Sequence, residues 1–349
     1  MGAIIHRINI QFLKVLIYLA SSKNKITPNS KNKNMGKPNI RLNPQIDSIR
    51  NRVLLEKGTT VLLSVALLLP QPECKGRGRK PFDYRLVLVL NILRILLRKK
   101  YSDYETEMRF DKRLCEMLKL DKLPCKSCLN DYALQFKLNF LSNFNKKLIE
   151  AWIKKPVDLL LDSSGIRLVG RSIWFCIRTK KKIRRKDCDK IHIAICLQNL
   201  LIANFRISNS KANDSPFLRK LLETFSKLGL VIVDKGYSNK TNAEYVSNKE
   251  GAFFSPFKKN SEPSGLNIWA YLRKLWNAFP TLCKGIYNQR SKVEAVFSAL
   301  KNRYGDQLHS KKWYMRRREM AMRFIAYNVR IIVGIQIARE KNIPLWVGA

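Results

Sequence analysis

The stretch YNQRSKVEAVFSALKNRYG, residues 287–305, carries one carboxylate, Glu294, among seven basic or aromatic side chains. Its apolar residues Val293, Val296, Phe297 and Leu300 recur at helical spacing. On a helix advancing about 100° per residue, Tyr287, Arg290, Glu294 and Lys301 share an arc of about 60° and those apolar residues take the adjoining arc. One face therefore packs, and its neighbour displays a tyrosine, an arginine, a glutamate and a lysine together. A solvated salt-bridge face would carry the same residue types. Two more acids have to be explained with Glu294, however. The apolar runs PVDLLLDSSG (156–165) and LVIVDKGYS (230–238) each deliver an aspartate, Asp162 and Asp234, to the end of a buried strand. Singly, an aspartate after a strand is commonly a turn or cap residue. As a trio, Asp162, Asp234 and Glu294 meet the need of hard divalent cations for carboxylate oxygen, because clustered carboxylates repel unless a cation lies between them. Two such ions about 4 Å apart can activate an attacking hydroxyl and stabilise the leaving oxygen of an in-line phosphoryl displacement. Asp158, four positions before Asp162 on the same strand face, is the substitute if the register differs. Other phosphate and hydrolase signatures, the GxxxxGKS/T loop, HExxH and GxSxG, are missing from the chain.

The elements that must position these acids change character at residue 156. Beyond it, SIWFCIRT (172–179), KIHIAICLQ (190–198) and LIANFRIS (201–208) read as strands, the last two as a hairpin across Asn199 and Leu200. SPFLRKLLETFSKLG (215–229) reads as a helix with Asp214 as N-cap and Gly229 at its end, 239–250 as a further helix, and GAFFSPF (251–257) as a strand. Strands followed by alternating helix and strand predict an α/β fold, a mixed sheet flanked by helices. His192, inside a strand, reads as a structural histidine rather than a base. The basic run RTKKKIRRKDCDK (178–190) reads equally as a phosphate-tracking loop and as a solvated hairpin.

Upstream, residues 84–101, 102–120 and 125–155 read as helices, with a Ser102–Glu105 capping box and a break at Pro124. They make a basic helical domain over 76–155, for duplex DNA binding or for dimerisation and packing. Residues 1–75 form a basic N-terminal segment, in which 21–52 is Asn/Lys/Ser/Pro-rich and reads as flexible. The apolar runs 8–20 and 59–70 fall short of the 18 or so residues a membrane span needs and read as buried helices. The catalytic region is placed at 156–342, with an insertion at about 258–285.

Lys and Arg number 67 against 26 Asp and Glu, a net charge of +41. The excess runs along most of the 349 residues, which favours polyanions, nucleic acid first. RNA binding is a reading from charge alone, and it predicts no need for Glu294. The eight cysteines are scattered and suit a reducing, cytosolic compartment. Cys125 and Cys128 form a C-x2-C pair without the second pair or the nearby histidines that zinc requires.

The arrangement Tyr287-x2-Arg290-x3-Glu294-x6-Lys301 resembles the Y-R-E-K signature of DDE-class insertion-sequence transposases, spacing included. LLLDSSG resembles that group's first-aspartate segment, VIVDKGYS its second, KIHIAICL its K-x-H strand, and AYNVR (326–330) the A-x-N segment of its closing helix. The likeness covers roughly 76–340, while residues 1–75 match nothing recognisable. It implies an RNase H-like core in which Asp162, Asp234 and Glu294 are catalytic and hold two Mg²⁺ ions, with Mn²⁺ as a substitute. It further implies that Arg290 and Lys301 grip phosphates, that Tyr287 lies beside terminal nucleotides, and that Lys235 and Tyr237 help seat DNA. Trp269 and Trp276 of the insertion have two readings, stacking on a flipped base and core packing. The implied function is a DNA transposase, an endonuclease and strand transferase of DNA recombination. Its partners are double-stranded DNA, both element inverted repeats and target, and a second copy of itself. The implied place is the prokaryotic cytoplasm at the nucleoid, without a membrane. The alternative is a catalytically inactive DNA-binding descendant of such an enzyme.

Overall fold

The computed structural model describes residues 41–71, 81–168, 188–257, 267–310 and 312–347. The expected strand 172–179, most of the basic run 178–190 and the apolar run 8–20 lie outside the described residues.

The apolar runs that carry the aspartates become neighbouring strands. In chain order the larger sheet comprises β2 (Val157–Leu168), β3 (Cys188–Cys196), β4 (Ile202–Asn209), β5 (Leu228–Val233), β6 (Ala252–Phe254) and β7 (Gln307–Leu308). Its spatial order is β4-β3-β2-β5-β6, and β7 pairs with the far end of β2. β2, β3 and β4 run antiparallel, whereas β5 is parallel to β2 and β6 to β5, an RNase H-like mixed sheet. The β3–β4 hairpin turns where it was expected: Leu200 takes φ +62° and Leu201 N–H donates to Asn199 Oδ1 at 3.1 Å. Parallel pairs need crossovers, and α7 (Ser215–Leu222) and α8 (Lys240–Asn248) supply them.

The helix expected over 215–229 stops at Leu222, and Gly229 lies inside β5. Lys249 Nζ takes up the carbonyls of Leu222, Glu223 and Phe225 at 2.7–3.1 Å, which ends the helix. Gly229 is needed in the strand: an added Cβ would stand 2.2 Å from Asp158 Oδ1, which accepts the Leu230 N–H at 2.7 Å. Asp158 thus stitches the irregularity between Val157 and Leu159 and does not belong to the acid trio.

α7 covers one face of the sheet, where the Phe217 ring stacks on His192 with centroids 3.9 Å apart. The other face meets α11 (Ser291–Tyr304) and the long α12 (Trp313–Lys341), with Phe324 against Phe205 at 4.8 Å. α12 is long and apolar enough to cross a membrane, but 94% of its apolar window is buried inside the protein. It is a core helix. Asn328, in the AYNVR segment, takes the Ile202 N–H at 2.8 Å and donates to Ile202 O at 2.9 Å and to Asn145 Oδ1 at 2.8 Å. A buried amide so satisfied fixes α12 against the start of β4.

The N-terminal region is helical: α1 (Pro44–Ala66), α2 (Tyr84–Leu96), α3 (Tyr101–Phe110), α4 (Lys112–Leu118), α5 (Lys126–Gln135) and α6 (Leu138–Glu150). Part of the segment expected to be flexible, 44–52, is the first half of α1. Asn43 Oδ1 accepts the Gln45 N–H at 3.0 Å, Pro44 opens the helix, and Ile46 and Leu54 are buried. Capping and a narrow apolar stripe outweigh the polar composition. The Ser102–Glu105 capping box does not form, since Ser102 lies inside α3 and its hydroxyl donates to Asp103. The helix expected over 125–155 breaks at Phe136 and Lys137. α9 (Ile268–Ala278) and α10 (Pro280–Asn288) precede α11, and the two-residue strands β1 (Arg41–Leu42) and β8 (Trp346–Val347) pair antiparallel.

Candidate active site

In the parallel β2–β5 register Leu161 pairs with Val233, so the next residues, Asp162 and Asp234, stand side by side. The third acid arrives from α11. Gln289, Arg290, Lys292 and Val293 each donate a backbone N–H three residues back, so α10 runs into α11 through a tightened turn, not as the single expected helix. Tyr287, Arg290 and Glu294 still converge with the two aspartates, while Lys301 meets β2 two residues beyond Asp162. Arg290 Nη2 lies 3.0 Å from Asp162 Oδ2, its Nε 3.5 Å from Asp234 Oδ1 and its Nη1 3.5 Å from Glu294 Oε1. Tyr287 donates its hydroxyl to Asp234 Oδ1 at 3.1 Å, and Lys301 Nζ donates to Ser164 Oγ at 2.8 Å. Asp162 is buried, Asp234 half-exposed and Glu294 exposed, so the cluster opens to solvent along α11.

Burial raises the Asp162 carboxyl above its ordinary value, and the Arg290 charge pulls against that rise. Burial also opposes the Arg290 charge, but Asp162 and Asp234 outweigh it and the guanidinium is held more firmly protonated than usual. Tyr287 is pushed up to about 12, first by burial.

Behind this cluster, on the opposite face of the sheet, a second polar group ties the strand ends together. Ser163 pairs across the ladder with His192, so it faces away from Asp162. His192 Nε2 lies 2.8 Å from Ser208 Oγ, and its Nδ1 lies 3.2 Å from Tyr237 Oη and 3.3 Å from Asp214 Oδ1. Lys190 Nζ is 2.7 Å from the same Asp214 oxygen. Burial opposes ionisation of Asp214, yet hydrogen bonds from His192, Lys190 and Ser163 outweigh it and hold the carboxyl at about 2. Asp214 heads α7 without capping it through its side chain. Sequence reasoning took it for a cap and missed this role. The usable signal was K-x-H: Lys190 shares a strand face with His192 and needs a counter-charge there.

The remaining sequence-assigned residues separate. Lys235 is exposed beside Asp234, whereas Tyr237 is fully buried with its hydroxyl on His192, which takes it out of reach of DNA. Trp269 is buried against Phe257 and Phe253, which answers its two readings in favour of packing. Trp276 is half-buried, stacked on Phe254 with centroids 5.2 Å apart and edge-on to Tyr287. Its ring borders the cluster.

The transposase DDE domain matches residues 153–329, from just before β2 to the middle of α12. The chain belongs to the transposase DDE-domain family. The matched domain spans all three acids, Arg290, Lys301 and the Asp214 group. Among solved structures, a cryo-EM structure of the piggyBac transposase synaptic complex with hairpin DNA is similar at a TM-score of 0.41 and 9% identity, over 83% of this chain and 74% of that one. Comparison with curated proteins gives no match.

Among the described residues no group of three His, Cys, Asp or Glu side chains stands at metal-holding spacing. The guanidinium of Arg290 is the cation to which Asp162, Asp234 and Glu294 converge. The donor set itself, three carboxylates around one positive group, has the hard-oxygen chemistry that Mg²⁺ and Mn²⁺ take.

Proposed function

We propose that the protein is a metal-dependent DNA transposase that cleaves the ends of an insertion-sequence element and joins the freed 3′ ends to target DNA. The observation that carries the reading is the reach of one guanidinium to Asp162, Asp234 and Glu294 together, three acids drawn from distant parts of the chain. The DDE-domain membership supports it.

Asp162, Asp234 and Glu294 would hold the divalent ions. Bound there, such ions supply activation of the attacking oxygen and charge neutralisation at the scissile phosphate. The chain's own residues do the rest. β2 and β5 fix two carboxylates at one level, and α11 swings the third over them. Arg290 keeps the acids from repelling one another and offers a planar fork to a DNA phosphate as they are neutralised. Lys301, held on Ser164 beyond Asp162, places a point charge along the same strand path. Tyr287 orients Asp234 through its hydroxyl, Lys235 meets the backbone beside it, and Trp276 offers a ring edge near the terminal nucleotides. Element ends and target are double-stranded, and two copies of the chain synapse two ends. The helical region before residue 156 supplies further duplex contacts, with the cell's nucleoid as the place of action.

The test is strand cleavage of a labelled double-stranded element end by purified protein with Mg²⁺. Cleavage is expected, with loss in Asp162→Asn, Asp234→Asn and Glu294→Gln while duplex binding survives. Undiminished cleavage in all three variants would overturn the assignment.

A further inference from the structure

Away from the acid cluster, a cavity of about 240 Å³ lies where α1, α11, α12 and β8 meet. Its polar lining is Arg50, Arg303, Arg330, Tyr304, Tyr327 and Trp346. Arg50 is 5% exposed and Arg330 9% exposed. Three guanidiniums therefore share one small space. Within ion-pair distance among the described residues, Asp47 is the acid that meets Arg50 and Arg330, and Arg303 has none. Arg303 Nη2 reaches the Leu96 carbonyl at 3.3 Å, and Arg330 Nη2 reaches Asn51 Oδ1 at 3.4 Å.

The leftover atoms are all donors. Arg50 Nε, Arg303 Nε, Arg330 Nη1, Tyr304 Oη and Trp346 Nε1 are buried and have no hydrogen-bond partner. A native structure seldom leaves one buried donor unmet, and each costs about 1–3 kcal/mol when it does. Five around one cavity mark a missing acceptor. Water would satisfy hydrogen bonds but not the charge, since two buried guanidiniums and the half-buried one of Arg303 face one carboxylate. Burial, with repulsion from Arg50 and Arg303, lowers Arg330 to about 10, which agrees with a surplus of positive charge. The complement is an anion with several acceptor oxygens, and arginine forks match phosphate. Apolar side chains, among them Ala295, Ala299 and Ile331, line the rest of the cavity.

We infer that this cavity is a binding site for a phosphate group, held by Arg50, Arg303 and Arg330 with Tyr304 and Trp346 as neutral donors. Its location gives it a consequence. Ala295, Ala299 and Arg303 lie on α11 about 100–180° around the helix from Glu294, so the occupant clamps the back of the helix whose front carries the third acid. The phosphate comes either from a free small phosphate or from a DNA strand. The inference does not rest on the transposase reading.

The experiment is a thermal melt and a calorimetric titration of the full chain with inorganic phosphate, against sodium chloride of matched ionic strength. Phosphate is expected to raise Tm saturably, and Arg330→Gln or Arg303→Gln to weaken phosphate binding at least about tenfold. Without phosphate, Arg330→Gln is expected to melt no lower than the wild type, since it removes mutual repulsion. Should that variant not fold, Arg303→Gln and Trp346→Phe, which deletes one donor and no charge, carry the test. Titration with a short duplex separates the sources. A strand phosphate predicts that Arg303→Gln weakens duplex binding and lowers the slope of log K against log salt by about one. A free phosphate predicts unchanged duplex binding with phosphate binding lost. No phosphate effect beyond the chloride control, or the same effect in every variant, overturns the site.

Discussion

Arg290 Nη2 stands 3.0 Å from Asp162 Oδ2, although 128 positions separate the two residues. The pairing joins the first strand of the sheet to the turn that opens α11, and the same guanidinium reaches Asp234 and Glu294. A side chain in that position opposes protonation of the buried Asp162 carboxylate.

Arg290→Gln therefore acts on pH dependence. Burial already raises Asp162, and the arginine charge restrains the rise. Without it the carboxyl climbs further, so the pH below which cleavage falls off moves upward. Arg290→Lys keeps the charge, loses the fork and shifts the profile less. The pH–rate profile checks this, and an acid limb unmoved in Arg290→Gln contradicts it.

Asp214→Asn acts on stability with the opposite sign. The folded value of about 2 lies below the ordinary 3.8. Its stabilisation is thus fully present above the ordinary value and is lost as pH falls from about 4 to about 2. With the side chain 20% exposed, the difference amounts to roughly 2 kcal/mol at neutral pH. Denaturant melts should show the variant weaker by about that much at pH 7 and level with the wild type near pH 2. A gap that stays constant with pH would remove the Lys190–His192–Asp214 group as its source.

Gly229 and Asp158 test the strand irregularity that sets the register of Asp162 beside Asp234. Gly229→Ala drives a Cβ into Asp158 and should cost about 1–3 kcal/mol. Asp158→Ala leaves the Leu230 N–H unmet at about the same cost. In the double variant the clash is gone, so its loss is smaller than the sum of the two single losses. Strict additivity in chemical denaturation would disprove the contact.

Lys301→Met probes the phosphate path. Its loss should weaken duplex binding about equally for all sequences and reduce the salt slope by about one. Binding measured across a salt series checks this; an unchanged slope places Lys301 off the DNA.

The sequence made the two aspartates legible because a buried parallel strand needs an unbroken apolar run, and LLLD and VIVD end theirs in charge. Only Asp234 follows a strand end, however, since β2, paired with β3, runs past Asp162 to Leu168. It also made the grouping of Arg290, Glu294 and Lys301 legible through helical spacing. The tightened turn between Tyr287 and Ser291 was not, since it depends on backbone hydrogen bonds and no glycine or proline marks it. Asp214 was read as a cap because its partners Lys190 and His192 lie more than a strand away. The start of α1 was hidden by its polar composition, although Asn43 and Pro44 carried the signal. Tyr237 was placed at the DNA by the resemblance and Trp269 had two readings, stacking and packing; only the packing reveals that both side chains are inside.

The most direct measurement is a calorimetric titration of Mn²⁺ into the purified chain and its variants. The account predicts cation binding in the wild type, its loss in Asp162→Asn, Asp234→Asn and Glu294→Gln, and tighter binding in Arg290→Gln, where the competing guanidinium is gone. Mn²⁺ affinity indifferent to all four substitutions would contradict a shared site for the three acids.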